Sequence, residues 1–174
     1  MVEVTVEITQ KCNEHCPWCS SNATQDGKHL SIKKIKEFLQ GIQEEITRIN
    51  VSGGEPLLHP KFSEIWWLCH EFCDNVVLYT NAIKKLIFNS HVLEEVLVEA
   101  NVCLVPGYSV HVPIKCSRLH FLKFIPQGRG INITSIPEMT VSRNFYDPEH
   151  CDSCDHVLLQ ANGIAVIAPC RKEY

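Results

Sequence analysis

Three cysteines lie close together near the N-terminus, in the segment Cys12-Asn-Glu-His-Cys16-Pro-Trp-Cys19. Thiolates at this spacing allow one loop to wrap an iron-sulfur cubane, and three protein ligands leave the fourth iron open. An open iron can bind a chelating ligand that carries an amine and a carboxylate. The alternative for such a set of cysteines is a zinc site. The spacing therefore predicts a metal centre at Cys12, Cys16 and Cys19.

A glycine-rich turn follows the second predicted strand, in the segment Gly53-Gly54-Glu55-Pro56. Glycines let the backbone approach a ligand closely, and a glutamate can accept a hydrogen bond from an ammonium group. The alternative is an ordinary turn between a strand and a helix. We interpret Gly53, Gly54 and Glu55 as part of the same ligand site.

These two segments resemble the motifs of the radical S-adenosylmethionine (SAM) superfamily. The run CNEHCPWC matches the family's CxxxCxxC signature, with aromatic Trp18 before the last cysteine, and the run GGEP resembles its second motif. The resemblance implies a [4Fe-4S] cluster that binds SAM at its open iron. Reducing the cluster would break a sulfonium C–S bond and release a 5′-deoxyadenosyl radical, while the protein orients and shields the cofactor. It implies these SAM-binding residues: Trp18, Gly53, Gly54 and Glu55.

Two polar segments follow later predicted strands, Thr80-Asn81 and Gln127-Gly128-Arg129-Gly130. Polar residues at the carboxyl ends of parallel strands face the ligand crevice. Asn81 is therefore a candidate SAM contact, or else it caps a helix from Ile83 onward. Arg129 is a candidate for binding a carboxylate or phosphate of SAM or substrate, or else part of a flexible turn.

A second group of cysteines lies near the C-terminus, at Cys151, Cys154 and Cys170. Asn162-Gly163 between apolar runs predicts a hairpin with a two-residue loop. If Ala161 pairs with Ile164, the residue numbers of every pair in the hairpin sum to 325. Continued along the hairpin, this pairing places Cys154 beside Cys170. The segment resembles the tail of GTP 3′,8-cyclase-like enzymes of molybdenum-cofactor biosynthesis and of related twitch or SPASM enzymes. That resemblance implies an auxiliary [4Fe-4S] cluster on these cysteines, and His150 or His156 could instead complete a zinc site.

The elements that position these residues alternate between strands and helices. Alternation of this kind predicts a parallel sheet covered by helices with right-handed crossovers. After Pro106 it weakens, so we expect an α/β fold: an incomplete parallel barrel of radical SAM type, with a small C-terminal β-hairpin carrying cysteines. We expect a core at 1–130 and an extension at 131–174. The predicted strands are Val2 to Thr9, Arg48 to Ser52, Asn75 to Thr80, Asn101 to Val105, Val110 to Ile114 and Leu119 to Ile125; the predicted helices are Ser31 to about Thr47, Pro60 to about Cys73, and Ser90 to Ala100.

Composition limits the partners. The 174-residue chain is 45% hydrophobic and 21% charged, with a net charge of -4, so neither nucleic acid nor an anionic membrane is implied as a partner. No apolar stretch is long enough to span a bilayer, and the charged N-terminal segment does not resemble a signal peptide, so we expect a cytoplasmic protein. Ten cysteines in a reducing compartment indicate metal binding or catalysis, not disulfides.

The remaining candidates have simpler interpretations. Cys69 and Cys73 lie one helical turn apart and fit small buried hydrophobes. Cys103 or Cys116 could supply a fourth ligand to the second cysteine group. His59 fits the start of a helix.

We expect a radical SAM enzyme that modifies a cofactor precursor, peptide or nucleotide, with an electron donor such as ferredoxin or flavodoxin. The chain lacks a recognisable fourth and fifth β-to-α unit, so GTP cyclase activity is not assigned. One alternative is an activating enzyme that installs a glycyl radical on a partner protein. The other is a non-catalytic iron-sulfur or zinc-binding protein.

Overall fold

The computed structural model describes residues 1–81, 99–104, 118–123 and 156–167. The predicted segments at 82–98, 105–117, 124–155 and 168–174 lie outside this part of the chain. The described elements, in chain order, are β1 (Val2–Glu7), α1 (Ile32–Gly41), β2 (Ile46–Ser52), a 3-10 helix (Pro56–Leu58), α2 (Phe62–His70), β3 (Val76–Leu78), β4 (Glu99–Leu104), β5 (Arg118–Lys123), β6 (His156–Leu159) and β7 (Ala165–Ile167).

Five of these strands form one sheet in the order β3-β2-β1-β6-β7. The pairs β1-β2, β2-β3 and β1-β6 are parallel, and β6-β7 is antiparallel. Strands β4 and β5 form a separate parallel pair. A mixed α/β fold with a mainly parallel sheet is thereby confirmed, whereas closure of a barrel and the domain boundary at 130 stay predictions.

The core lies on one face of the sheet, because apolar residues alternate along β1. Val4, Val6 and Ile8 have no exposed surface. The residues between them, Thr5 and Glu7, are half-buried. Their partners on the neighbouring strand and helices are also apolar. These partners are Ile35, Leu39, Ile49, Val51, Ile65, Leu68 and Cys69. The opposite face of β1 therefore carries Glu3, Thr5 and Glu7.

Helix α1 begins as predicted and ends earlier than predicted. The Ser31 side chain caps it by accepting a hydrogen bond from the Lys34 backbone N–H at 3.3 Å. The helix ends at Gly41, and Ile42 is extended. The predicted end near Thr47 is wrong, because Ile46 pairs with Val2 in the sheet. Gly41 is a poor helix former and favours the end of the helix. The pairing of β2 with β1 then outweighs the helical spacing of the apolar residues that follow.

Two later elements, α2 and β3, are shorter than predicted, and β4 begins earlier. Helix α2 ends at His70, before Phe72 and Cys73, although both still pack partly on the core. Strand β3 covers only Val76–Leu78. Strand β4 begins at Glu99, so the predicted helix does not extend to Ala100.

Strands β6 and β7 pair with a different register from the predicted one. Leu159 pairs with Ala165 and Val157 with Ile167, so the paired numbers sum to 324 and not to 325. Gly163 has φ +84°, its N–H donates to the Gln160 carbonyl at 2.8 Å, and the Asn162 side chain accepts from the Ile164 N–H. This is a three-residue turn with a left-handed glycine, which adds one residue to the loop.

Strand β6 extends the sheet at the side of β1 away from β2, with Val4 opposite Val157 and Val6 opposite Leu159. The turn after β6 therefore lies at the same end of the sheet as the carboxyl end of β1. Among the described helices, none is both long and apolar enough to cross a membrane.

Candidate functional site

The loop with the first three cysteines follows β1 at the carboxyl end of the parallel strands. Its two ends are held together by the backbone, because the Cys12 N–H donates to the Thr24 carbonyl at 2.8 Å and the Thr24 N–H donates to the Gln10 carbonyl at 3.0 Å. A further bridge joins Thr9 to His29. Backbone hydrogen bonds between the segment after β1 and residues 24–29 thus hold the two ends of the loop together.

The three cysteines differ in exposure. Cys12 is buried, and Cys16 and Cys19 are half-buried. The Glu14 backbone N–H donates to Cys12 Sγ at 3.4 Å, a contact that favours a thiolate ligand. The Cys19 N–H donates to the Cys16 carbonyl at 3.2 Å and turns the chain between these two residues.

No disulfide involves the five cysteines whose side chains the structure describes, which are Cys12, Cys16, Cys19, Cys69 and Cys73. Within the same part of the chain, no three potential ligands converge on the position of a single metal ion. A cubane cluster takes each cysteine on a different iron, so its ligands need not converge on one point. A run of three thiols on one closed loop fits a cluster of this kind.

Gly53 and Gly54 lie against the backbone of the cysteine loop. The Gly54 N–H donates to the Thr9 carbonyl at 2.7 Å and the Glu55 N–H donates to the Lys11 carbonyl at 2.8 Å. Gly53 has φ +138°, and a Cβ there would lie 2.4 Å from the Thr9 carbonyl oxygen. A Cβ on Gly54 would lie 2.4 Å from the Lys11 carbonyl oxygen. Only glycines allow β2 to approach the cysteine loop this closely.

The carboxylate of Glu55 has no exposed surface and joins two strand ends. Its Oε1 accepts from the Leu57 N–H at 2.9 Å, and its Oε2 accepts from the Asn81 N–H at 2.9 Å. The Thr80 hydroxyl lies 2.9 Å from both oxygens. Glu55 is therefore a buried, hydrogen-bonded anchor between the end of β2 and the residues that follow β3.

Asn81 continues this network to the cysteine loop. Its side-chain amide donates to Asn13 Oδ1 at 3.0 Å. Asn13 directly follows Cys12. The first cysteine segment, the glycine turn and Asn81 thus meet at one end of the sheet, as the sequence predicted from the carboxyl ends of parallel strands.

The sequence did not predict a polar cluster of Thr9, His29 and His59 at the base of the cysteine loop. The Thr9 hydroxyl accepts from the Lys11 N–H at 2.9 Å and lies 2.8 Å from His29 Nδ1. Burial, His59 and Lys11, in that order, lower the pKa of His29. The His29 and His59 rings meet edge-on with centroids 4.8 Å apart. Thr9 follows an apolar strand with no motif around it, so only its position after β1 could have drawn attention.

His59 is buried between two loops. Its Nε2 donates to the Leu30 carbonyl at 3.0 Å, and its Nδ1 accepts from the Lys61 N–H at 3.1 Å. The second bond supports the turn just before α2, in agreement with the predicted place of His59 at a helix start.

The remaining predicted site residues divide into two groups. Trp18 is half-buried in the cysteine loop, and His156 starts β6. His156 Nε2 lies 2.9 Å from the Thr5 hydroxyl, and its Nδ1 lies 4.0 Å from Glu3 Oε1. Burial lowers the pKa of His156, and Glu3 opposes this effect. The following lie outside the described residues: Cys116, Arg129, His150, Cys151, Cys154 and Cys170.

Two further cysteines fit their predicted structural role. Burial raises the pKa of the Cys69 thiol to about 12, so this residue stays a protonated, apolar group in the core. Cys73 is half-buried beside the same core.

Comparison with known proteins gives one family match. The sequence model of the radical SAM superfamily matches residues 6–101, more than half of the chain. The matched segment contains both the cysteine loop and the glycine turn.

Several curated proteins are similar over part of the chain. The 7,8-dihydro-6-hydroxymethylpterin dimethyltransferase of Methanocaldococcus jannaschii is 33% identical over 85 residues, covering 45% of this chain and 17% of that protein. The PqqA peptide cyclase of Bradyrhizobium diazoefficiens is 30% identical over 103 residues, covering 58% and 26%. The GTP 3′,8-cyclase of Helicobacter pylori is 32% identical over 92 residues, covering 48% and 29%. The similarity thus spans less than a third of each relative.

Proposed function

The chain belongs to the radical SAM superfamily, and from that membership we propose that it is an enzyme that cleaves SAM reductively at a [4Fe-4S] cluster held by Cys12, Cys16 and Cys19. One observation carries the proposal most directly. The cysteine loop meets the glycine turn through the Gly54 and Glu55 backbone N–H groups, which donate to the Thr9 and Lys11 carbonyls.

Cys12, Cys16 and Cys19 would hold the cluster, which would supply the electron for reductive cleavage of the SAM C–S bond to methionine and a 5′-deoxyadenosyl radical. The protein holds the three thiolates on a closed loop and shields them. Buried Cys12, with its N–H···S contact from Glu14, is the most enclosed of the three ligands. Half-buried Cys16 and Cys19 leave access for SAM beside them.

We propose that Trp18, Gly53, Gly54, Glu55 and Asn81 contact SAM. The close approach of Gly53 and Gly54 to the loop supports contacts from their backbone groups. A carboxylate has about four acceptor positions, and Glu55 already uses most of them for Leu57, Thr80 and Asn81. This leaves at most one position for the SAM ammonium, so Glu55 acts mainly by holding Asn81 in place.

We propose Arg129 as a further contact for a carboxylate or phosphate, and Cys151, Cys154 and Cys170 as ligands of an auxiliary [4Fe-4S] cluster. The hairpin register supports the second proposal, because a pairing that sums to 324 would set 154 opposite 170 if it continued outward. We favour iron over a zinc site completed by His150 or His156, because the first cysteine group is proposed to hold an iron-sulfur cluster.

Cleavage of SAM is the decisive measurement. The protein is reconstituted with iron and sulfide without oxygen, reduced with dithionite and given SAM, and 5′-deoxyadenosine is quantified by chromatography. We expect product from the wild type and from Cys73→Ser, a half-buried cysteine outside the loop. We expect none from Cys16→Ala.

Two results would overturn the proposal. The first is normal turnover by Cys16→Ala. The second is a reduced-cluster electron paramagnetic resonance spectrum that does not change when SAM is added, which would indicate a fully ligated cluster in a non-catalytic protein.

We propose a small molecule or a peptide as the substrate class, since the similar proteins are named for a pterin, a peptide and GTP. Ferredoxin or flavodoxin would supply the electron. A cytoplasmic location is proposed because the cysteine spacings suit metal binding, which needs thiols kept reduced. Iron analysis of Cys154→Ala tests the auxiliary site, and we expect the loss of one cluster per chain.

A further inference from the structure

Glu7 is a carboxylate that touches both the cysteine loop and the C-terminal hairpin. It is the last residue of β1 and points away from the helices, since Val6 and Ile8 on either side are in the core. Its Oε1 accepts from the Ser21 hydroxyl at 3.0 Å. Its Oε2 accepts from the Ala161 backbone N–H at 3.4 Å. One side chain thus joins two segments that are distant in sequence.

The Ser21 contact fixes the exit of the cysteine loop. Ser21 lies two residues after Cys19 and is followed by Asn22, whose φ of +52° is in the left-handed region. Such a conformation persists where surrounding contacts hold it. Ala23 is buried, and its Cβ would be 2.9 Å from a Cβ built on Gly54. The direction in which the chain leaves Cys19 therefore depends on Glu7 and Gly54 together.

The Ala161 contact fixes the hairpin turn at the same end of the sheet. Ala161 is buried and is the first residue of the turn between β6 and β7. On its other side the turn lies beside the end of the exposed Lys34 side chain of α1, which a Cβ on Gly163 would meet. The Ala161 end of the turn is thus held at the Glu7 carboxylate, while Asn162 and Ile164 are exposed. Glu7 therefore links the hairpin turn to Ser21 through its two oxygens.

We propose that Glu7 is a positioning residue that couples the C-terminal hairpin to the geometry of the cysteine loop. Its importance for catalysis rests on the proposed function of that loop. The coupling itself is a property of the protein without a cluster. A carboxylate suits this role because each oxygen accepts a separate, charge-assisted hydrogen bond.

Hydrogen–deuterium exchange on the cluster-free, reduced protein tests the coupling. Ala161→Pro removes the hairpin's donor to Glu7, and proline suits the first central position of a turn closed by the Gly163 N–H. We expect roughly tenfold faster exchange in a peptide covering 13–22, although the substitution lies in the hairpin. Ile164→Thr, at an exposed position of the same turn, is the control and leaves this peptide unchanged.

Glu7 variants test the coupling from the other side. Glu7→Ala should speed exchange in both 13–22 and 160–164. Glu7→Gln should restore protection, because its carbonyl accepts from Ala161 and its amide donates to the Ser21 hydroxyl. Glu3→Gln, on the same strand and face, is the matched control for the loop peptide.

Unchanged exchange at 13–22 in Ala161→Pro would overturn the coupling even if Glu7→Ala speeds it, because Glu7→Ala also removes the direct bond to Ser21. The reconstituted proteins give a second readout. We expect the spectrum of the reduced cluster to change in Glu7→Ala and to return with Glu7→Gln. Absent SAM cleavage in the wild type would refute only the proposed function, whereas unchanged exchange refutes only this inference.

Discussion

Replacing Glu55 by glutamine separates a structural role of this residue from a role limited to binding SAM. The carboxylate is fully buried and accepts from two backbone N–H groups, those of Leu57 and Asn81, and from the Thr80 hydroxyl. Glutamine keeps one acceptor oxygen and replaces the other by an NH2 group. Whichever way the amide turns, one of the two backbone donors faces another donor.

The magnitude follows from the lost bond. A hydrogen bond to a charged group is worth about 1.5–3 kcal/mol, and a buried donor left without an acceptor costs about 1–3 kcal/mol. Burying a neutral amide is cheaper than burying a carboxylate, which offsets part of this cost. We therefore expect the free energy of unfolding to fall by about 2–3 kcal/mol. For a chain of this size, that corresponds to a fall in Tm of roughly 4–12 °C.

The assay is denaturant unfolding of the cluster-free protein, followed by far-ultraviolet circular dichroism in the absence of SAM. Glu44→Gln, an exposed glutamate, is the control and should change the stability by less than about 0.5 kcal/mol. If Glu55→Gln unfolds at the wild-type midpoint and loses only SAM binding, the carboxylate serves the ligand and not the strand ends. That result would refute the anchoring role.

The other predictions concern the backbone, pH and thiols. Gly53→Ala should lower the free energy of unfolding by about 1–3 kcal/mol or more, because φ is +138° and a Cβ meets the Thr9 carbonyl. Gly41→Ala, with open space around it, should raise it by about 0.4–1 kcal/mol. Equal effects of the two substitutions in denaturant unfolding would contradict this prediction. The lowered pKa of His156 means that the unfolded chain takes up its proton first, so stability should fall as pH drops through 6.5 toward the lower folded value. His156→Gln should weaken the dependence of stability on pH. An unchanged pH profile in this variant would contradict the assignment to His156. Cys69, with a pKa of about 12, should resist iodoacetamide at pH 8 until the protein unfolds, as measured by mass spectrometry; rapid native labelling would show that the thiol is accessible.

Much of the first site was predictable from the sequence because its signals are local. The spacing of Cys12, Cys16 and Cys19 and the order of strand, glycine turn and helix identified the family and the end of the sheet that carries the site. The role of Glu55 was not predictable in the same way. Its partners Thr80 and Asn81 are more than twenty residues away, and hydrogen bonds at that separation leave no periodic pattern.

Errors in the predicted elements arose where sheet pairing competes with local preference. Ile46 fits the apolar face of α1 by spacing, yet it pairs with Val2 in the sheet. Asn162-Gly163 indicated a turn, but not whether its loop holds two or three residues. That difference changes the partner of every residue in β6 and β7 by one position.

The sequence by itself determined that this chain has the motifs of a radical SAM protein, with a helix-covered, mainly parallel sheet. Spacing within a loop and alternation along a strand depend on near neighbours, so they can be recognised in one dimension. Only the tertiary structure decided that β6 lies beside β1, that Gly53 and Gly54 press on the cysteine loop, and that Glu7 joins the loop to the hairpin. These features depend on which distant segments pair and pack together, and no local pattern in the sequence records that.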